Sequence, residues 1–477
     1  MPRPALRVLS LALILAVTPR LAGAQAATQA FDYDRLRDEA AELLSSYLRV
    51  TSVNPPGNEL AAARWLKETL AREGIEGMIL DTAELGPGRA NFYARLRGTG
   101  ARKAIALVHH MDVVPATASQ WKRDPFGGEV VDGEVWGRGA VDMKGHGIIQ
   151  LMALVAIKRA GLVLDRDLVY IGNADEESDG LGAITFVRQH PDLIRDVEYL
   201  LTEGADTRVE GGKVRWFGVD VGEKRPLWTR LVVEGVTSHG SVPIGNQNPV
   251  PRLARAVTRV AAWETPLRLT PAVERFFKAQ GLDQQGEARR WLSDPRAALA
   301  TPEGRRWLTA EPERNALLRA TISPTVLVGS DKTNTIPQRA TADLDIRLLP
   351  DEDPGQFLLE LRRVIGDSLV RLEEITPITP RYDAPLDTEL FQVLEAVAGE
   401  MLPGVPVATP VSPGATDRPT YAKTGIVAYG LDPYLIELDQ NRYMAHGNDE
   451  RLSVQNIGWG VRFYLRVLEQ LAGPRNP

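Results

Sequence analysis

Cysteine is absent from all 477 residues, histidine occurs only six times, and there is no basic excess: Lys and Arg number 56 against 62 Asp and Glu, a formal net charge of -6. The missing thiols exclude a disulfide framework and cysteine-linked lipid, so stability must come from core packing and from any bound metal. The missing positive footprint excludes wrapping of a phosphate backbone, and no nucleic-acid partner is expected. Long apolar runs are scarce too. Residues 9–17 form one behind Arg3 and Arg7, but Pro19 and Arg20 interrupt it before the small residues Ala22, Gly23 and Ala24. A membrane span needs about 20 continuous apolar residues. The segment reads instead as a signal peptide over residues 1–24, giving a mature chain that starts near Gln25, is not inserted in a membrane and is secreted, with a bacterial periplasm as its destination.

What is present is ordinary for a folded chain: 44% hydrophobic and 25% charged residues, with a length that suggests about two to three domains. Short strand-like runs alternate with longer helical ones, the pattern of α/β layering. Helical spacing covers residues 31–50 and 59–73, with Gly74 placed to cap the second. Residues 104–108 and 168–171 are short apolar strands, and each runs straight into ionisable residues. Between them residues 145–160 are helical and closed by Gly161, which makes a βαβ unit. Residues 197–201 form a third strand, leading to Glu203. After Gly222 the pattern changes: strands at 227–234 and 340–348 flank an Arg-rich helical stretch at 265–320. Residues 223–350 therefore read as an inserted α+β lid domain between catalytic segments 25–222 and 351–477. A helix at 390–401 and a long amphipathic one from Ser453 to near Gly473 close the chain.

Three clusters carry chemistry. In His110-Met111-Asp112 both ionisable side chains point to one face of an extended chain, so Asp112 is placed to accept the second ring N–H of His110. On this triplet alone a satisfied histidine at a polar strand end is the leading reading. The turn from Trp136 to Gly145 delivers Asp142 at the start of a helix, where free amides favour an ionised carboxylate, although a plain N-cap explains such an Asp as well. The third cluster, Asp175-Glu176-Glu177 with Asp179, crowds four acids at a strand end. Their repulsion is costly unless cations neutralise it, so here metal binding is the leading explanation. Adjacent Glu176 and Glu177 point in different directions, which suits one proton-transfer base and one ligand. Glu203 and His446 gain meaning only because open α/β sheets gather sites at the carboxyl ends of several strands.

Taken in order, His110-Met111-Asp112, residues 121–126 and 137–145, Asp175-Glu176-Glu177, Glu203-Gly204, Ser238-His239-Gly240, Asn334-Thr335-Ile336-Pro337 and residues 446–450 resemble the M20 family of zinc metallopeptidases over nearly the whole mature chain. The resemblance implies a zinc-exopeptidase-like catalytic domain, with a central mixed sheet flanked by helices, and two Zn2+ ions per chain; Co2+ or Mn2+ fit similar donors. By the same resemblance Asp142 bridges the ions, His110 and Glu203 complete one site, Glu177 and His446 the other, and the Asp142-Met143 peptide is cis. Glu176 is the implied general base, Asp112 supports His110, and His239 stabilises the oxyanion, often across a homodimer formed through the lid. Asn334, Arg347, Gly414, Thr416 and Arg418 are the implied substrate-binding residues. One departure stands out, since the family carries Gly-Thr-Asp, one small residue and then Arg, whereas Arg418 stands one place early and Pro419 occupies the expected position. The implied reaction cleaves the amide of a short peptide or an N-acyl amino acid and releases an amino acid with a free carboxylate. An N-fatty-acyl-amino-acid deacylase is the alternative enzyme, and a metal-dependent binding protein without catalysis is the alternative of another class, against which the presence of Glu176 argues.

Overall fold

The computed structural model describes residues 31–375, 381–412, 414–437 and 445–474; the expected signal peptide at 1–24 lies outside them. The main sheet has six strands in the order Gly77–Leu80, Asn91–Leu96, Leu168–Asn173, Ala104–His110, Val197–Ala205 and Val427–Leu431. The last four run parallel, while the first two pair antiparallel at one edge. Every residue of Ala104–His110 and Leu168–Asn173 is buried, which is why these strands read as unbroken apolar runs without alternation: helices cover both faces. On one face Lys144–Arg159 packs against Tyr33–Leu48 and Val454–Ala472. On the other, Leu181–Gln189 places Ala183 and Phe186 in a second cluster with Val108, Ile171 and Tyr421.

Helix ends follow local chemistry. Asp32 accepts from the Arg35 amide and Ser453 from that of Asn456, each satisfying an amide without a helical partner. Gly74 and Gly161 take φ of +68° and +62° just past their helices, the left-handed stop that glycine adopts without a Cβ clash.

The second domain is a sheet ordered Arg225–Pro226, Arg339–Leu348, Thr229–Glu234 and Arg371–Glu374, with Thr321–Val328 also paired to Arg339–Leu348. Helices Pro249–Ala261 and Pro354–Ile365 cover it through Leu253, Val260, Phe357 and Leu361. The expected boundary at residue 350 is therefore too early, because the lid runs on through Arg371–Glu374. Residues 350–353 look like a linker, but Asp353 caps the following helix by accepting from the Gln356 amide.

The Arg-rich stretch is not a plain lid helix. It breaks into Pro271–Gly281, Gly286–Ser293, Pro295–Ala300, Pro302–Ala310 and Pro312–Leu318. Proline at the first turn starts four of them, since it fits there and cannot continue a preceding helix. Their core of Phe277, Trp291, Leu308 and Leu318 includes Ala408 and Val411 of the catalytic domain, so the bundle leans on both domains. Among the described residues no helix is long and apolar enough to cross a membrane.

Inside the core His146 Nε2 lies 2.6 Å from the Tyr464 hydroxyl and 3.2 Å from Gln150 Nε2, joining Lys144–Arg159 to Val454–Ala472. Burial lowers the His146 pKa to about 3, against about 6.5 in an unfolded chain. Between those values only the unfolded state takes the proton, so stability falls as pH drops from 6.5 toward 3 at about 1.4 kcal/mol per pH unit. His146→Gln is expected to cost about 1–3 kcal/mol at pH 7.5, where the network is broken, and to flatten this acid slope by about one proton. Urea midpoints measured between pH 7.5 and 4.5 check both; an unchanged slope refutes the assignment.

Candidate metal centre

Each of the clustered residues is delivered by the carboxyl end of a parallel strand or by a loop beside it. His110 is the last residue of Ala104–His110, in register with Asn173. Glu203 lies near the end of the neighbouring Val197–Ala205. The acidic loop follows Leu168–Asn173, and its Asp175 is held at φ +65°. Asp142 precedes Lys144–Arg159, whose N-cap is Met143. Capping is therefore not what Asp142 does.

Its two carboxylate oxygens instead face different partners. Oδ1 is 3.0 Å from His110 Nε2, and that nitrogen is 3.5 Å from Glu203 Oε2. Oδ2 is 3.3 Å from His446 Nε2, itself 2.9 Å from Glu177 Oε2. Two donors bound about 2.1 Å from one tetrahedral ion stand about 3.4 Å apart. The observed spacings are those of two donor sets sharing one carboxylate, so the residues fit a pair of divalent cations. Two overlapping groups, His110-Asp142-Glu177 and His110-Glu176-Glu203, each bring one potential ligand atom per residue within 4.8 Å of the others. The Asp142-Met143 peptide is cis, as the resemblance implied.

Asp112 departs from expectation. His110 Nδ1 meets the Asp112 backbone carbonyl at 2.9 Å, while the carboxylate is 3.7 Å away. That carboxylate is drawn elsewhere: it accepts from the amides of Glu176 and Glu177 at 3.2 and 3.1 Å and from Asn54 Nδ2 at 2.8 Å. Asp112 thus holds the acidic loop directly, and holds the histidine through its main chain.

The electrostatics show how many negative charges the site carries. Burial, then repulsion from Glu203, pushes the Glu176 carboxyl well above its ordinary range. Burial also raises Glu203. It opposes charge on His110, yet Glu203 and Asp142 outweigh it and hold that imidazolium well above its usual pKa. Hydrogen bonds to Asp142 and Glu177 raise His446 to about 10.

The other expected residues lie outside this cluster. No hydrogen bond or ion pair among the described residues links His239, Asn334 or Arg347 to it. His239 is exposed on a two-residue strand paired with Thr335, its Nδ1 2.7 Å from the Ser241 hydroxyl. Asn334 lies beside it, with its carbonyl accepting from the Gly240 amide. Arg347 is held by Asp345 at 2.8 Å and lies 5.7 Å over the Trp228 ring. Gly414 is exposed, and Thr416 donates its hydroxyl and amide to Glu223. Arg418 is the clearest correction: its side chain is fully buried, with Nε on Glu223 at 2.8 Å and Nη2 on Asp220 at 3.2 Å. The inward pull of two buried acids leaves it nothing to offer a substrate.

Sequence reasoning missed the residues behind the cluster. Asn54 joins Asp112 to Asp175. Arg89 bridges Glu59 and Asp175. Asp417, whose carboxyl burial lifts to about 7, accepts from Asn173. Nothing in the local sequence marks Asn54 or Arg89. Asp417 lay in a loop already singled out.

A family model described as "Peptidase family M20/M25/M40" matches residues 106–470. "Probable carboxypeptidase S-like 2" of Dictyostelium discoideum is 26% identical over 77% of this chain and 71% of its own length. The N-fatty-acyl-amino acid synthase/hydrolase of Xenopus tropicalis is 27% identical, over 76% and 71%. Aminoacylase-1 of Sus scrofa is 25% identical over 90% and 94%. Among solved structures, an M20 family metallo-carboxypeptidase from Sulfolobus solfataricus superposes with a TM-score of 0.65 at 21% identity, covering 90% of this chain and 98% of that one. Human carnosine dipeptidase 1 gives 0.66 at 16%, covering 93% and 98%. A Bacillus subtilis protein described as a dinuclear metal binding peptidase of the M20 family gives 0.55 at 13%, covering 91% and 98%. With the family model spanning most of its length, and a shared carboxylate between two imidazoles at its centre, the chain belongs to peptidase family M20/M25/M40 and is a hydrolase of amide bonds.

Proposed function

We propose that the protein is a two-zinc hydrolase that cleaves short peptides or N-acyl amino acids and releases an amino acid with a free carboxylate. The observation that carries this reading is the split of Asp142 between His110 with Glu203 and His446 with Glu177. Co2+ or Mn2+ satisfy the same nitrogen and oxygen donors. Bound there, a cation pair supplies Lewis acidity toward the scissile carbonyl and lowers the pKa of a water toward about 7. Glu176 is the residue available to move protons: it is next in sequence to the ligand Glu177, and its amide is fixed by Asp112. As general base it takes a proton from the attacking water and passes it to the leaving nitrogen. Asp112 and Asn54 keep the loop from shifting while it does so.

The amino-acid leaving group is supported by the relatives named carboxypeptidase and aminoacylase. A fatty-acyl substrate is a second reading, favoured by the relative named N-fatty-acyl-amino acid synthase/hydrolase. Exposed His239 is assigned to the oxyanion across a homodimer. Exposed Val326, Leu327 and Val328, on a lid strand whose partner is Arg339–Leu348, supply an apolar edge for that contact. Arg347 and Asn334 are assigned to the substrate. We assign the mature protein to the periplasm from the sequence of residues 1–24 alone, a charged start, an apolar run and small residues.

Glu176→Gln is expected to lower kcat by about 10²–10⁴-fold on N-acetyl, long-acyl and dipeptide substrates, with the metal content of the wild type. Metal analysis beside steady-state kinetics checks it; wild-type turnover sinks the mechanism. For the dimer, His239→Ala and His446→Ala chains are each expected to be inactive alone. Mixed, they should regain about a quarter of wild-type activity, because half the dimers hold one complete site. No regain after subunit exchange refutes the shared site.

A further inference from the structure

Glu450 is not in the ligand set, yet the loop that delivers Asp142 is wrapped around it. Its fully buried side chain accepts four donors. Oε1 takes the amides of Val141 and Asp142 at 2.8 and 3.0 Å; Oε2 takes the Gly139 amide at 3.0 Å and Arg138 Nη1 at 2.6 Å. The Gly137 amide bonds the Glu450 carbonyl at 2.9 Å. Arg138 is buried as well, 5.2 Å over the Trp121 ring. Its second terminal nitrogen, Nη2, donates to the carbonyl of His446 at 3.1 Å. One ion pair therefore grips Asp142 by its amide and His446 by its carbonyl. These two ligands lie far apart in sequence, and their side chains meet at 3.3 Å.

We propose that Arg138 and Glu450 are positioning residues that fix Asp142 against His446, and so set the affinity of the cation site those two share with Glu177. The inference rests on the two-cation reading above. Neither residue belongs to the ligand set or to the candidate base. The physical reason is rigidity: a carboxylate accepting the amides of Gly139, Val141 and Asp142 restrains the Asp142 backbone from turning, and donor sets need to be held within about 0.5 Å to bind a metal well. Partners behind metal ligands are worth about 10–100-fold in metal affinity. Lysine at position 138 keeps the charge facing Glu450 but lacks the planar fork that reaches the His446 carbonyl at the same time.

The test is a Co2+ titration of the metal-stripped mature chain, reading ions bound per chain, dissociation constants by chelator competition, and the visible absorption of the bound ion. Arg138→Lys is expected to weaken one of two ions by about 10–100-fold and leave the other at wild-type affinity, with an unchanged far-UV circular dichroism spectrum before metal is added. Arg138→Lys that binds both ions as tightly as the wild type overturns the proposal. Glu450→Gln puts an amide donor against amide donors and is expected to weaken the same ion further; if it does not fold, Arg138→Lys decides alone. His446→Ala separates the two claims. If it leaves both ions in place the ligand set is wrong, whereas if it strips one ion and Arg138→Lys strips none, the ligand set stands and the positioning role falls.

Discussion

Bringing Asp142, Glu176, Glu177 and Glu203 into contact with only two imidazoles is the constraint on which the rest of this structure depends. Like charges buried this closely destabilise the fold unless positive charge or donated hydrogen bonds compensate them. The loop amides beside these acids do not supply that compensation. The amides of Glu176 and Glu177 are turned away from the cluster onto Asp112, and those of Val141 and Asp142 onto Glu450. The carboxylates that hold these loops are thus separate from the carboxylates the loops present. What remains uncompensated at the centre is the charge that suits a pair of divalent cations.

The same division explains why the supporting acids are so deeply buried. Glu59, Asp112 and Glu450 have side chains with no exposed surface, and each is surrounded by donors: Arg89 for Glu59, loop amides and Asn54 for Asp112, Arg138 and loop amides for Glu450. A buried charge left without a partner costs about 3–5 kcal/mol, so these networks resist any conformation in which a loop has drifted. The apolar core lies behind the site, where His146, Gln150 and Tyr464 join two helices beneath the sheet.

Much of this was legible in the sequence where a residue's own neighbours decide its conformation. The strands read at 104–108 and 168–171 were legible because burial on both faces leaves an unbroken apolar run, and helix ends at Gly74, Gly161 and Ser453 because caps are local chemistry. The acidic loop was readable because repulsion at a strand end has few explanations. Pairings between distant segments were not readable: no local signal says that Asn54 reaches Asp112 or that Arg138 reaches His446. The lid boundary was misplaced for the same reason, since only the pairing of Arg371–Glu374 with Thr229–Glu234 shows that the sheet continues. Prolines that open short helices disguised the bundle at 271–318 as one charged stretch.

Arg418 shows how a one-residue displacement changes a role. A guanidinium at this position meets Asp220 and Glu223 in the interior, and Thr416 ties the loop to the same Glu223. Exposing Arg418 to a substrate would strand two buried carboxylates, a cost no surface contact repays. On the proposed reaction, recognition of a leaving-group carboxylate falls to another cation. Among the residues the sequence singled out, Arg347 is the one whose planar fork remains half-buried and oriented, by Asp345 and Trp228. It sits on the lid, while the shared carboxylate sits on the catalytic domain. Their relative placement is set by what connects them: the bundle at 271–318, which shares a core with Ala408 and Val411, and Lys224, whose ammonium binds the carbonyls of Ala316 and Arg319.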